Sequence, residues 1–535
     1  MTDHPFQPAF NTRIWALGAA LLPGGYLLLT STATLNETLW QYDVKRILEL
    51  FLLPLIIGVV LLSKPLRVGF QRQLTRIPGW MAAAIGMLLV LGVLSSAYNR
   101  QSILSLLYSL AEVSLLSLLA LAALCIAACR QAAGTLFDQV AILLLAMVAV
   151  TVGLQELLGV LAAWNSGMEF HPRIALLHFS WPRFYNQVQT WSIPAITALP
   201  LVFPGKPLAR LLCAIALAFE WYVVIVTGGR GTMAAVSLAI FAAIVFLPGI
   251  RKTLIIYQLA GLMGGLAIYM LVLIGHQNLQ LAEFGASVAP DRTLQAERPA
   301  HNPAANSAAI QKSADSSGNF LEPVTGARIW TSSGRLGLWR DSLGDVRSHP
   351  LLGIGPMNYA CSGPIYRAAH PHNFLLQLAG EWGIPALLLL LLLVSFMAVK
   401  LVRRLRPPEK NRKDVPPPAD FLAIALLAAS IHACLSGVLV MPASQVAGIL
   451  VCGWLLGILP IPAAVRPANL SGTLVLAAGL SLCIALLVFA RHELAVAEVR
   501  FGQTPQMDRG IPRLWQNGKV CRLYRNAGSD PAYTP

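Results

Sequence analysis

Ser333 to Pro385 reads SGRLGLWRDSLGDVRSHPLLGIGPMNYACSGPIYRAAHPHNFLLQLAGEWGIP. It is the one long piece of the chain that joins polar chemistry to ordered pattern, and apolar runs flank it on both sides. Leu336, Trp339, Leu343 and Val346 recur at spacings of three and four. That periodicity predicts a helix of about three to four turns with one apolar stripe. Ser332 and Ser333 can cap its start, and Pro350 follows its last turn. A short amphipathic helix set between bilayer-length segments belongs on a membrane surface or on other helices.

Outward from this stretch, the composition sets the class. Of 535 residues, 56% are hydrophobic and 12% charged, where a soluble chain carries about 25% charged residues. Apolar segments fall at 14–32, 46–62, 79–97, 103–129, 137–160, 186–204, 208–227, 232–249, 254–275, 374–400, 420–440, 445–463 and 472–490. Each is close to the roughly 20 residues that span hydrocarbon as a helix. The sixth is interrupted by Pro194, Pro200 and Pro204. The expectation is an all-α polytopic membrane protein of about 12–13 transmembrane helices with one large outer loop carrying short helices. Residues 1–275 would form an N-terminal bundle of about nine helices, and 276–373 the loop. Residues 374–490 would return as C-terminal transmembrane helices, and 491–535 would be an outer tail. Within the loop, 287–326 is rich in Ala, Ser, Pro and Asn without apolar period and reads as a flexible insertion. The ordered motif occupies 333–373.

Orientation follows from the basic residues. With the N-terminus inside, the inner segments carry eighteen Lys and Arg and the short outer loops six, the asymmetry that fixes topology. This placement explains the net charge of +15 without nucleic acid. Met1 to Asn11 is polar, and the first apolar run lacks a small-residue cleavage site, so no cleavable signal peptide is expected. Six of the eight cysteines lie in apolar runs and read as packing residues. Cys361 and Cys521 alone fall in polar outer segments, where a disulfide between them is one option and two free thiols the other.

Four side chains from separate parts of the chain fall on the outer side: Arg183, Arg230, Arg335 and His372. Arg335 sits in the first turn of its helix, where the dipole disfavours a cation but free N–H groups favour an anion. The choice there lies between an anion site and a solvated arginine. Arg230 stands in Thr-Gly-Gly-Arg-Gly, a turn whose glycines let backbone approach a ligand, or one that simply anchors two helices. Gly353 and Gly355 mark another close approach of backbone. His372 can accept a proton near neutral pH, or serve only as an interfacial hydrogen-bonding group. Pro371 separates His370 from His372 and no acidic or cysteine cluster completes a metal set. Glu112, Glu156 and Glu220 lie within apolar runs. Glu220 is about ten residues inward of Arg230, too deep for chemistry at the outer face, and reads as structural.

The pattern Gly334-Arg335-Leu-x-Leu-Trp339, His349-Pro-Leu-Leu-Gly353-x-Gly355, His372-Asn373 and Glu381-x-Gly383-Ile384-Pro385 resembles the O-antigen ligase superfamily. That group includes O-antigen polymerases and bacterial protein O-oligosaccharyltransferases. The resemblance is strong over about 50 residues and weaker at Phe184-Tyr-Asn186 and Gly228-Gly229-Arg230-Gly231. It implies a multi-pass protein of the bacterial inner membrane with its large loop periplasmic. The implied reaction moves a glycan from an undecaprenyl-diphosphate donor to an acceptor hydroxyl, with inversion and without metal or cofactor. His372, Arg335 and Arg230 would be catalytic; Arg183, Asn186, Trp339 and Asn373 would bind substrate. The acceptor most in keeping is lipid A–core, as in lipopolysaccharide biosynthesis, with membrane lipid around it and no nucleic acid partner. A protein Ser/Thr or a growing glycan is the alternative within the same chemistry. A polysaccharide transporter would instead place its charges near the bilayer midplane, and a scaffold would leave the four-part convergence unexplained.

Overall fold

The computed structural model describes residues 10–32, 41–100, 103–166, 176, 179, 182–288, 335–360, 368–405, 418–459, 471–501 and 514–515. Among these residues there is no strand. The first six helices are α1 (Phe10–Thr32), α2 (Gln41–Leu62), α3 (Lys64–Thr75), α4 (Gly79–Tyr98), α5 (Ile103–Ala133) and α6 (Thr135–Asn165). Then come α7 (Pro182–Ile196), α8 (Leu199–Val202), α9 (Pro207–Val226), α10 (Arg230–Phe246) and α11 (Arg251–Val288). The motif stretch holds α12 (Arg335–Ser348) and α13 (Phe374–Trp382). The chain continues through α14 (Ile384–Leu405), α15 (Pro418–Ala433), α16 (Pro442–Ile458) and α17 (Gly472–Phe501).

Eight of these helices are long and apolar enough to cross a bilayer, and the bent pair α2–α3 would make a ninth. Three shorter apolar helices, α10, α15 and α16, stand among them. Every apolar segment expected from the sequence overlaps a helix, although 420–440 leaves helix after Ala433. The outer surfaces of the bundle are apolar, as at Leu388 (60% exposed) and Leu392 (57% exposed) of α14. A surface of that kind is stable only against lipid. The chain is an all-α, multi-pass membrane protein.

Three details differ from the periodicity. The 46–62 run ends at Leu62, and α3 turns away by 105°. It does so because Leu66, Phe70 and Leu74 bury one side while Lys64, Arg67 and Arg72 hold the other in the polar zone. The 374–400 run is two helices, broken at Gly383 with φ +90°. Only α14 has the length to cross. Helices α11 and α17 also continue past 275 and 490, to Val288 and Phe501.

Small residues set the helix spacing. A Cβ on Gly261 would lie 2.6 Å from the Leu217 side chain, and one on Gly264 2.8 Å from Ala218, so α9 and α11 pack through a glycine face. Gly453 and Gly457 do the same for α16 against Ala123 and Ala127 of α5. Cys125, Cys129, Cys213 and Cys483 are buried free thiols in this packing.

Helix ends sort into two faces. On one, Arg130 pairs with Asp138 at 2.8 Å, and Arg76 donates to the carbonyls of Leu456 and Leu459, both at 3.2 Å. On the other, Gln155 donates to Thr32 O (2.8 Å), Ser109 to Pro356 O (2.7 Å), and Tyr42 meets Phe184 edge-on. Arg46, at the start of α2, donates Nε to Leu514 O at 3.3 Å. That contact puts the buried Leu514 of the tail on the face that carries the 349–360 loop. The 289–326 part of the insertion, Cys361 and Cys521 lie outside the described residues.

Candidate active site

The turn after α9 is built by α7. Asn186 is buried, and its Nδ2 donates to Thr227 Oγ1 (2.8 Å) and Gln189 Oε1 (2.7 Å). Thr232 Oγ1 returns a bond to Asn186 O at 2.7 Å. A Cβ on Gly229 would stand 2.9 Å from the Asn186 side chain, which is why that position is Gly. Gly228 reverses the chain at φ +60°, and Arg230 becomes the first residue of α10. Asn186, expected to bind substrate, thus grips this turn, while its Oδ1 is buried without a hydrogen-bond partner among the described residues.

Three arginines share one placement. Arg183 lies in the first turn of α7, Arg230 opens α10, and Arg335 opens α12. None of these helices has an acidic residue in its first turn. Each arginine therefore stands at the positive end of a helix dipole, the less favourable end for a cation. They also face one another. Burial first, then the charges of Arg230 and Arg183, lower the proton affinity of the half-buried Arg335. Arg183 and Arg230 themselves are exposed. Three cations from distant parts of the chain, each in the first turn of a helix, thus lie near enough for the charges of Arg230 and Arg183 to act on Arg335.

His372 joins them through α12 and α13. Helix α12 docks through Ser342, which is buried and donates to Leu376 O at 3.0 Å. The expected apolar stripe does not bury: Leu336 is 64% exposed and Leu343 43%, and Trp339 and Val346 are half-buried. The reason is steric, since Gly380 opposite admits only a small residue, its added Cβ lying 3.2 Å from Ser342 Oγ. Trp339 donates its indole N–H to Pro371 O at 3.0 Å. Asn373 caps α13, accepting from Leu376 N at 3.1 Å. Both residues were expected to bind substrate; their visible bonds hold the His372 segment.

His372 itself is in the left-handed region at φ +55°, a conformation that costs a β-carbon residue about 1 kcal/mol or more. Its N–H donates to His370 Nδ1 at 3.1 Å. Its own Nδ1 is buried and has no hydrogen-bond partner among the described residues. Burial, followed by the charges of Arg335 and Arg183, pushes the imidazole down to about 4. The ring is neutral at physiological pH and has a lone pair to offer.

The glycines of the HPLLGIGP stretch approach protein backbone. A Cβ on Gly353 would lie 2.3 Å from Glu381 C, and one on Gly383 2.1 Å from Leu351 O. Ile354 N and Gly355 N donate to Gly380 O (2.8 Å) and Glu381 O (2.9 Å). The buried Glu381 accepts from Tyr359 N at 3.1 Å. Ser95 and Asn99 of the α4 end brace the loop, donating to Glu381 O (2.8 Å) and Gly353 O (2.9 Å). Sequence reasoning missed these braces because a Ser and an Asn at a helix end carry no special pattern.

It also missed His432. This buried residue ends α15, binds Thr190 Oγ1 through Nδ1 (2.7 Å), and packs its Nε2 where Gly231 leaves room. Its only signal in the sequence is a histidine inside an apolar run. Glu220 accepts from Ser192 at 2.6 Å, in line with a structural role. Among the described residues, no three His, Cys, Asp or Glu side chains group as a metal site.

No curated protein matches the chain significantly. Residues 213–391 match the family model described as O-antigen ligase. The matched segment runs from α9 into α14 and contains Arg230, Arg335 and His372, with Arg183 and Asn186 before it. Over that segment the chain is similar to the O-antigen ligase family.

Proposed function

We propose that this protein moves a glycan from undecaprenyl diphosphate to an acceptor hydroxyl, ligating O-antigen to lipid A–core in lipopolysaccharide biosynthesis. The reaction takes place at the periplasmic face of the inner membrane. The observation that carries this reading is the trio Arg183, Arg230 and Arg335, each in the first turn of a helix, with the charges of Arg230 and Arg183 felt at Arg335. A diphosphate is the kind of anion that guanidinium groups and helix N-termini bind.

In the reaction, the acceptor oxygen attacks the anomeric carbon from the side opposite the diphosphate. The new C–O bond forms as the bond to the diphosphate breaks. The bonding pair leaves on the phosphate oxygen, and charge grows there. Arg230 and Arg335 offset it, with Arg183 as a further ligand. His372 takes the acceptor's proton. Burial first, then the charges of Arg335 and Arg183, keep the imidazole unprotonated before donor binds. A diphosphate that offsets the arginine charges raises its basicity, while burial still holds it below the ordinary histidine value. Attack from the opposite side inverts the anomeric centre. No step calls on a metal or cofactor.

The test is a strain lacking this gene, scored for lipopolysaccharide banding and for pilin glycosylation. Loss of capped lipopolysaccharide with pilin unchanged is expected. Loss of pilin glycan with intact lipopolysaccharide would assign a protein acceptor, and shortened glycan chains still attached to lipid would assign a polymerase.

A further inference from the structure

We infer that His370 is a positioning residue for His372, whose backbone N–H it holds through Nδ1. The inference rests on the reading of His372 as the base. His372 has φ +55°, which a side chain with a Cβ rarely adopts. That conformation needs support from its surroundings, and His370 supplies it by accepting the N–H at 3.1 Å. The two rings lie 4.3 Å apart between centroids at 56°, so the first imidazole also walls one side of the second.

His370 is itself fixed. It is 4% exposed. On one side, the Pro371 carbonyl between the two histidines takes the Trp339 indole N–H. On the other, Gly437 leaves its ring room, since an added Cβ there would stand 2.7 Å from His370 Nε2. Because Nδ1 accepts, the proton of the neutral His370 ring resides on Nε2. The required property is therefore specific: a hydrogen-bond acceptor at the place of Nδ1. Asn presents its Oδ1 close to that place, and Phe keeps the bulk without the acceptor.

The experiment uses the full chain reconstituted in proteoliposomes with lipid-linked donor and acceptor. It compares H370F, H370N, G437A, H372A and H370F/H372A by kcat, KM and thermal stability. His370→Phe should lower kcat by about 10²-fold with KM within about twofold, the cost of misplacing a reacting group by about 1 Å. His370→Asn should rescue kcat to within about threefold of wild type. On the His372→Ala background, His370→Phe should cost nothing further, because residues acting as a unit are not additive. Gly437→Ala leaves both imidazoles in place and should lower kcat about tenfold by crowding His370. It decides the matter if His370→Phe fails to fold.

Wild-type kcat in His370→Phe or in Gly437→Ala would overturn the inference. So would His370→Asn as impaired as His370→Phe, or full additivity with His372→Ala. Near-normal activity of His372→Ala alone overturns the reading of His372 itself, and does so whatever the His370 variants show.

Discussion

Trp339 donates its indole N–H to the carbonyl of Pro371 at 3.0 Å, tying the helix that begins with Arg335 to the turn that carries His372. One bond thus links the helix that Arg335 opens to the histidine proposed as base. If that is the main work of Trp339, Trp339→Phe should reduce kcat about tenfold by loosening the His372 turn, with KM changed less than about twofold. Steady-state kinetics on lipid-linked donor decides it. A KM that rises about tenfold with kcat intact would mean that the indole contacts substrate instead.

Arg335 and Arg230 predict a chemical asymmetry between arginine and lysine. A guanidinium offers a planar fork to two phosphate oxygens, and an ammonium offers one point of charge. Arg335→Lys should lose about 10–100-fold in kcat/KM, and Arg230→Ala more, with both proteins still inserted and folded. The check is transfer rate against protein recovered from membranes. Arg335→Lys at wild-type rate would remove the fork from the mechanism.

Much of this was legible from the residues. The apolar runs gave the helices because bilayer thickness fixes their length. Arg230, Arg335 and His372 stood out through the motif resemblance, since their local sequence alone also fits a turn arginine, a solvated arginine and an interfacial histidine. The role of the HPLLGIGP glycines was not legible. Gly353 approaches Glu381 backbone rather than a ligand, and only three dimensions show which partner a glycine serves. Which side of α12 packs on protein was not legible either: Ser342 against Gly380 makes that contact, and the apolar stripe is left on the outside. Ser95, Asn99 and His432 were invisible because their partners lie more than 200 residues away.

The low proton affinity of His372 sets a pH profile. Its folded value is held down to about 4 by burial and by Arg335 and Arg183, below the ordinary value of about 6.5. The ring is neutral and competent above about 4 and is lost as base when pH falls through it. The kcat/KM profile should therefore stay flat from about pH 7 to 5. Removing one lowering charge raises the value, so Arg183→Ala should move the acid limb upward. A wild-type limb at the ordinary histidine value, or a limb unmoved in Arg183→Ala, would contradict the electrostatic coupling.

Gly383 combines φ +90° with a Cβ position 2.1 Å from Leu351 O. Gly383→Ala should cost about 2–4 kcal/mol from strained backbone and overlap together. The measurement is thermal unfolding in detergent, where the variant should melt several degrees lower. Gly337 has φ outside that region and nothing within 4 Å of an added Cβ, so Gly337→Ala should melt with the wild type. Equal melting of Gly383→Ala and wild type would dissociate the 349–360 clamp from stability.

The most direct test of the central claim is single-turnover transfer by His372→Ala in proteoliposomes loaded with lipid-linked donor and acceptor, with donor binding measured on the same sample. A base acting at the acceptor hydroxyl is worth about 10²–10⁴-fold. The expected result is a loss of transfer in that range with donor binding within about threefold of wild type, since the arginines hold the diphosphate. Transfer at near-wild-type rate by His372→Ala would contradict the assignment of His372 as the base and, with it, the site described here.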